Sequence, residues 1–357
     1  MQKDAKRNFA LDVLRVLACY MVIQVHTGEF YYIGPVGDVI KGENAFWVDL
    51  YNSVCRSAVP LFVMLTGYFL LPVKDEPAQF FRRRFTRVVI PFIFWCIAYS
   101  FYQFFRGQVD FATACVNILK IPVNFGTQVG HLWYVYMLMG LYLFAPIISP
   151  WLKTASRKSI ELYLGIWAFS LCVPYIHLVF PEVLGECFWN GTPMLYYFSG
   201  LLGYMILAYY LRVYASERKS WNLPVGIALL AVGYFITWYG FHERLSTAEY
   251  VPQLEITWGY ETINVAMVAT GIFLLIKNIR IKNPDSSCGR LVTDISIKSY
   301  GIYLVHIMLL NLFYDLLNSL FDSAMIKIPL IAICTFITSY LVIKALSYLP
   351  KSKYIIG

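Results

Sequence analysis

Charged residues are scarce in this sequence. Of its 357 residues, only 14% are Asp, Glu, Lys or Arg, whereas a soluble domain carries about 25%. Hydrophobic residues make up 59% of the chain and aromatic residues 18%. This balance excludes an ordinary soluble globular domain, so we interpret the chain as an integral membrane protein.

Motifs for metal or redox chemistry are also missing. The eight cysteines include no C-x-x-C pair and no metal-ligand spacing, and most fall in apolar runs, where a thiol packs as a small hydrophobic group. We therefore expect no metal cofactor. Only Cys115 and Cys187 fall in loops predicted to face outward, where a disulfide is permitted but not required. No polar stretch is long enough for a second folded domain, so residues 1–357 are predicted to form one membrane domain.

Apolar runs of the length needed to cross a membrane, roughly 20 residues, recur along the chain. The predicted fold is all-α: a polytopic membrane protein with about ten transmembrane helices. The ten runs lie near residues 9–30, 46–72, 88–105, 131–150, 160–180, 194–213, 225–241, 261–277, 299–321 and 330–349.

The basic residues are distributed unevenly between alternate loops. If the N-terminus is cytoplasmic, the inner segments hold 21 Lys and Arg residues, the outer segments hold 5, and 3 more lie within spans. This asymmetry is typical of the positive-inside rule and predicts that both termini are cytoplasmic. The formal charge of +8 therefore indicates orientation in the lipid bilayer, and we expect no nucleic-acid partner.

The first apolar run, LDVLRVLACYMVIQVHTGEF, contains Asp12, Arg15, His26 and Glu29. At about 100° per residue, Arg15 and His26 are about 20° apart around the helix and about 16 Å apart along it. Asp12 lies three residues before Arg15, and Glu29 three after His26, so all four share one face. Ionisable groups in a span either pair for structural reasons or belong to a functional site, and both interpretations remain open at this point.

Polar residues in other spans favour a functional site. Arg56 directly precedes SAVPLFVMLTGYFLL in the second span, and His306 lies in SIKSYGIYLVHIMLL with Tyr303 one turn before it. A single buried histidine is more often structural than catalytic. Several ionisable groups in apolar spans favour a functional site over a purely structural role.

Three arginines, Arg83, Arg84 and Arg87, precede the third span in QFFRRRFTRVVIPF. At spacings of three and four in a helix, they would project together as a set of donors suited to phosphate. The simpler alternative is positive charge that only fixes topology beside anionic lipid headgroups.

Five segments together resemble the membrane-bound acyltransferase family 3, in particular its stand-alone O-acetyltransferases, such as the type that modifies enterobacterial common antigen. They are the pair Arg15 and His26, SAVPLFVMLTGYFLL, the pair Arg84 and Arg87, HLWYVYMLMGLYLFAPIISP, and SYGIYLVHIMLL, spread in order over residues 11–310. Thr66 stands where the family more often has serine, and it keeps the hydroxyl group.

The resemblance implies a ten-helix enzyme of the cell (inner) membrane with no attached soluble domain. Its reaction would move an acyl group, usually acetyl, from cytoplasmic acyl-coenzyme A to a sugar hydroxyl of an envelope glycan or a lipid-linked precursor. His26 matches the family's essential histidine and Arg15 its partner. Arg84 and Arg87 match the pair that engages coenzyme A, and Arg83 is a further candidate beside them.

Acyl transfer to a hydroxyl needs a base, a site for the oxyanion and a means of holding both reactants. We expect His26 to be the general base or a transient acyl carrier, with Glu29 orienting its ring. Arg15 would stabilise negative charge in the channel, and Asp12 would hold Arg15. The candidates for acceptor binding are Trp133, Tyr134, Tyr303, His306 and Arg56.

Two alternatives to an enzyme remain open. Intramembrane Asp, Arg, His and Glu also form ion or proton paths in transporters, although no inverted repeat is visible between the two halves of the chain. The second alternative is a sensor or scaffold whose polar face binds a partner helix. The sequence identifies neither the acceptor nor the acyl group, nor does it distinguish O- from N-acylation or define the oligomeric state.

Overall fold

The structure, a computed structural model, describes residues 8–123, 129–180, 200–215, 219–279 and 283–357. These ranges are helical and contain no β-sheet, so the all-α prediction is confirmed. The helices are α1 (Phe9–Glu29), α2 (Glu43–Cys55), α3 (Ala58–Leu70), α4 (Pro77–Arg84), α5 (Ile90–Phe105), α6 (Phe111–Lys120), α7 (Trp133–Thr154), α8 (Arg157–Ser170), α9 (Val173–Val179), α10 (Leu202–Val213), α11 (Lys219–Arg244), α12 (Val251–Leu254), α13 (Ile263–Lys277), α14 (Ser287–Leu317), α15 (Ala324–Leu346) and α16 (Lys353–Ile356).

The described ranges contain eight helical stretches long and apolar enough to cross a membrane, or nine if the bent pair Val251–Trp258 and Ile263–Lys277 is one span. The prediction of a polytopic membrane protein is therefore confirmed. The run predicted at 194–213 corresponds to α10, and residues 181–199 lie outside the described ranges. The total of ten spans and the cytoplasmic termini stay predictions. Cys187, whose pairing with Cys115 is permitted but not required, also lies outside the described residues.

Two of the spans are interrupted part-way. α2 and α3 are separated at Arg56, and Pro60 falls in the first turn of α3, where a residue without an N–H group fits a helix. The pair Val251–Trp258 and Ile263–Lys277 bends by 43° at its own break. Breaks within a membrane need neighbours that satisfy the freed polar groups. An ion pair joins Arg56, at the first break, to Glu255 in the first helix of the bent pair.

α1 is surrounded by other helices. It contacts α2, α3, α13, α14 and α15, and even the side chain of Asp12 is buried. α14, with 31 residues the longest helix described, runs beside α1 and turns Ser296, Tyr303 and His306 to the same side at helical spacing. The polar face of α1 therefore looks into the bundle rather than into lipid.

Close helix packing depends on glycine at two positions. A Cβ atom added to Gly67 in α3 would lie 2.4 Å from the carbonyl oxygen of Met205 in α10. One added to Gly271 in α13 would lie 2.7 Å from the backbone nitrogen of Leu230 in α11. Small residues at such crossings let membrane helices approach closely and gain van der Waals contact.

Replacing Gly67 with alanine is expected to lower the thermal stability of the purified protein in detergent. The added methyl would meet backbone rather than a movable side chain, so α3 and α10 must separate, at a cost of about 1–3 kcal/mol. Gly165→Ala in α8 is the matched control, because a Cβ there meets nothing within 4 Å and alanine favours a helix. Equal unfolding midpoints for the two variants would contradict the packing argument.

Candidate active site

The ionisable residues of α1 form two groups on one face. Near the start of the helix, the hydroxyl of Ser296 donates to Asp12 Oδ1 at 2.7 Å and lies 3.5 Å from Arg15 Nη1. Near the end, His26 Nδ1 lies 3.0 Å from Glu29 Oε2. The contact expected between His26 and Glu29 is therefore present, while Asp12 and Arg15 share a neighbour on α14.

The carboxylate of Glu29 determines which nitrogen of His26 can react. A carboxylate only accepts hydrogen bonds, so we assign the hydrogen of the His26 ring to Nδ1. Nε2 is then the nitrogen left for a proton or an acyl group. This is the arrangement that a histidine base and its orienting acid require.

Two further histidines surround His26. The ring centroid of His306 is 5.4 Å from that of His26, and the centroid of His131 is 6.2 Å from His26 and 4.9 Å from His306. Tyr303 holds both: its carbonyl oxygen is 2.5 Å from His306 Nδ1, and its hydroxyl donates to the carbonyl of His131. In the part of the chain that the structure describes, no group of His, Cys, Asp or Glu side chains is arranged to hold a metal ion.

A cavity of about 530 Å³ extends along α1 from Arg15 to His26, and we call it the inner cavity. The exposed residues Arg87 and Lys353 line it at the end nearer Arg15. Hydroxyl and phenol groups line the wall in between, from Thr66, Tyr134, Tyr142, Ser299, Tyr300 and Tyr303.

A second cavity of about 680 Å³, which we call the outer cavity, lies beyond His26. Four residues line both cavities: His26, His131, Trp133 and Tyr260. We call these four residues the partition, and within it the rings of Trp133 and Tyr260 stack with centroids 5.6 Å apart. His26 can therefore be reached from two sides. The remaining wall of the outer cavity is rich in amides and aromatic rings, including Tyr99, Tyr102, Gln103, Gln108 and Asn311.

The three arginines before the third span do not project together, so this part of the prediction is wrong. The regular helix ends at Arg84, and a π-helical turn covers Phe85–Val89. A π turn holds an extra residue and changes the angle between the positions on either side of it. Arg83 consequently points elsewhere, in an exposed ion pair of 2.7 Å with Asp75. Arg87 faces the inner cavity.

Arg84 lines a different, smaller cavity of about 170 Å³, which shares four lining residues with the inner cavity: Arg15, Phe62, Thr66 and Tyr142. The guanidinium carbon of Arg84 lies 5.1 Å from the centroid of the Tyr142 ring. Of the three arginines, Arg87 is the one that lines the inner cavity. The roles of Arg84 and Arg87 in binding coenzyme A stay predictions.

Arg56 lines the outer cavity, but its charge is held by protein groups. It pairs with Glu255, both side chains hydrogen-bond the hydroxyl of Tyr32, and the guanidinium carbon lies 4.5 Å from the ring centroid of Trp258. Arg56 is only 6% exposed. The sequence predicts that Arg56 binds the acceptor, whereas these contacts favour a positioning role, joining the break between α2 and α3 to the bent pair.

A family model described as an acyltransferase domain, acyltransferase 3, matches residues 8–344. That range is nearly the whole chain. The chain belongs to the membrane-bound acyltransferase family 3. It is therefore a multi-pass membrane protein of this family, and the predicted family is confirmed. The resemblance to stand-alone O-acetyltransferases within the family stays a prediction.

Among curated proteins, this chain is similar to an amino-acid racemase of Enterococcus faecalis, with 28% identity over 177 residues, 48% of this chain and 22% of the racemase. It is also similar to a serine/alanine racemase of Enterococcus gallinarum, with 31% identity over 64 residues, 18% of this chain and 8% of the racemase. The aligned parts thus span no more than about a fifth of these relatives. No solved structure matches the chain.

Most residues predicted for the site of this acyltransferase lie near His26. Trp133 belongs to the partition, and Tyr134 and Tyr303 line the inner cavity. His306 packs against His26 but lines neither the inner nor the outer cavity. It can therefore hold the ring of His26 in position without facing either cavity.

The sequence reasoning did not single out His131, Tyr260 or Glu255. His131 begins the segment HLWYVYML, which contributed to the family resemblance, so that segment contained a usable signal. Glu255 and Tyr260 stand in no motif. Glu255 pairs with a residue 199 positions away in sequence, which no local pattern can indicate.

Removing one partner of the pair Arg56 and Glu255 is expected to destabilise the acyltransferase. Arg56→Met and Glu255→Gln each leave a largely buried group unpaired and are expected to cost about 3 kcal/mol. The double variant should lose less than the sum of the two single variants, because neither group is then left alone. Thermal unfolding in detergent measures all three.

The control for this experiment is Asp315→Asn. It breaks the pair with Arg106, whose side chains are 48% and 42% exposed, and exposed pairs contribute little to stability. Strict additivity of the Arg56 and Glu255 variants would show that the two groups are not coupled.

Proposed function

We propose that this acyltransferase moves an acyl group, most simply acetyl, from cytoplasmic acyl-coenzyme A to a hydroxyl of an envelope glycan or lipid-linked sugar at the cell (inner) membrane. The observation that carries the proposal is that His26 belongs to the walls of two cavities. Substrates that approach from opposite sides of a membrane need one reactive group within reach of both.

The inner cavity suits the donor. Acyl-coenzyme A is elongated, with phosphates at one end and the thioester at the other. Arg87 and Lys353 provide positive charge at the exposed end of the cavity, where phosphates would bind. The hydroxyl-lined wall would hold the pantetheine arm, which brings the thioester to His26. Arg15 is about 16 Å from His26 along α1, so it fits the donor better than the oxyanion.

The outer cavity suits a sugar. Gln103, Gln108 and Asn311 offer both hydrogen-bond donors and acceptors for hydroxyl groups. Tyr99 and Trp133 offer flat aromatic faces for the apolar side of a sugar ring. This mixture of convergent polar groups and aromatic walls is typical of small-ligand sites.

As a general base, His26 would take the hydroxyl proton on Nε2 while the oxygen attacks the thioester carbonyl carbon. The carbon–sulfur bond breaks, the new carbon–oxygen bond remains, and His26 passes the proton to the departing thiolate. Glu29 stabilises the imidazolium formed between these steps, because its carboxylate already lies 3.0 Å from Nδ1.

As an acyl carrier, His26 would use the same atom. Nε2 attacks the thioester, the thiolate leaves and takes a proton from water in the inner cavity, and the acyl-imidazolium keeps its Nδ1 hydrogen on Glu29. The acceptor hydroxyl then takes the acyl group and releases its proton to water. This route lets coenzyme A leave before the acceptor arrives.

His26→Ala is expected to lower kcat by at least about 100-fold, since acid–base catalysis contributes about 100- to 10,000-fold. Glu29→Gln should lower it by about 10-fold, because the ring loses its orienting charge. The assay follows label from radiolabelled acetyl-coenzyme A into an envelope glycan extract. Free amino acids form a second acceptor arm, because the matched relatives are named as racemases. His242→Gln is the control, since its side chain is 46% exposed and lines neither cavity.

Failure of the wild type to transfer or hydrolyse the acetyl group with every acceptor would contradict the proposed function. Labelled solute accumulating in sealed liposomes without transfer would favour the transporter instead. Normal activity of His26→Ala would leave the family assignment intact and eliminate the proposed mechanism.

The two routes differ when acceptor is withheld. If His26 carries the acyl group, wild-type protein denatured at neutral pH after exposure to radiolabelled acetyl-coenzyme A should retain label that hydroxylamine removes. Label should be absent from His26→Ala. Wild-type protein without label, under conditions in which added acceptor is acylated, would exclude the carrier route and leave the general base.

A further inference from the structure

The segment that follows the last described span forms part of the wall of the inner cavity. α16 packs against α5 and against the π-helical turn, and Trp95 Nε1 donates to the carbonyl oxygen of Ile355 at 2.9 Å. Lys353 and Gly357 line the inner cavity together with Arg87. The segment is therefore built into the site rather than attached beside it.

Close packing places this segment against the backbone of Arg87. A Cβ atom added to Gly357 would lie 2.9 Å from the carbonyl oxygen of Arg87 and 2.6 Å from the Tyr300 ring. The hydroxyl of Tyr300 donates to the carbonyl of Val88 at 2.8 Å, next to Arg87. These contacts bring two cationic residues, Arg87 and Lys353, to the same exposed end of the cavity.

Both cations are available to an anion. In the ranges that the structure describes, the ion pairs engage other basic residues, such as Arg83 with Asp75 and Lys298 with Asp294. Arg87 and Lys353 form no such pair there, and the ammonium of Lys353 lies 5.0 Å from the ring centroid of Tyr354. Two cations at the entrance of a cavity attract a negatively charged ligand.

We propose that Lys353 binds a phosphate group of the thioester donor together with Arg87, and this inference rests on the proposed function. Arg83 is paired with Asp75 and Arg84 lines the smaller cavity, so neither lines the inner cavity beside Arg87. The second cation at the entrance is Lys353, which lies 266 positions after Arg87 in the sequence. Lysine acts here as a mobile point charge on an exposed phosphate.

Lys351 provides a matched control for Lys353. It carries the same charge, is also exposed and lies two residues earlier, but it does not line the inner cavity. The loop-charge pattern treated the two lysines alike, as charge that orients the chain in the membrane. The structure distinguishes them by position.

The experiment compares Lys353→Gln and Lys351→Gln in the full chain. Binding of acetyl-coenzyme A is measured by equilibrium binding, and binding of S-acetyl-pantetheine, which lacks every phosphate, by competition. Lys353→Gln should weaken binding of acetyl-coenzyme A by about 3- to 10-fold, the range expected for one exposed charge contact. Binding of S-acetyl-pantetheine should be unchanged. Lys351→Gln should change neither, and Lys353→Arg should restore tight binding.

Equal weakening of both ligands by Lys353→Gln would indicate a structural effect and overturn the inference. Equal weakening of acetyl-coenzyme A by both lysine variants would indicate non-specific charge and overturn it as well. If the wild type binds acetyl-coenzyme A and Lys353→Gln binds it equally well, only this inference fails. If the wild type does not bind acetyl-coenzyme A at all, the proposed donor fails and takes this inference with it.

Discussion

The hydrocarbon around a membrane-spanning helix offers no hydrogen-bond partners, so the charged groups of α1 must be paired with other protein groups. Asp12 and Arg15 meet Ser296, and His26 meets Glu29. α14 provides one of these partners and also His306, so α1 and α14 must pack face to face. The other helices around α1 complete a shield from lipid. The candidate catalytic residues therefore lie in the part of the bundle that is shielded from lipid.

The outer cavity depends on two interrupted spans. Arg56 lies at the first interruption and Tyr260 at the second, and both residues line the outer cavity together with His26. The ion pair between Arg56 and Glu255 does not need to add much stability, because a buried pair often balances its own desolvation. It joins the first interruption to the helical turn that ends at Trp258, two residues before Tyr260 of the partition.

Sequence patterns predicted the parts of the site that depend on regular geometry. The spacing of three between His26 and Glu29 and the shared face of α1 follow from helical periodicity, and both are present. The arginines were misplaced because the π turn at Phe85–Val89 breaks that periodicity. Glu255 and Lys353 could not be predicted from the sequence, for another reason. Their importance arises only from tertiary contacts with residues far away in sequence.

The partition has a consequence for the electrical potential across the membrane. A continuous pore through the membrane would let ions run down the electrical gradient, in which one charge carries about 2.3 kcal/mol for each 100 mV. The side chains of the partition stand between the two cavities, at the place where such a pore would have to pass. In the proposed reaction, the acyl group alone would pass from the inner to the outer cavity at His26, while coenzyme A would stay in the inner cavity.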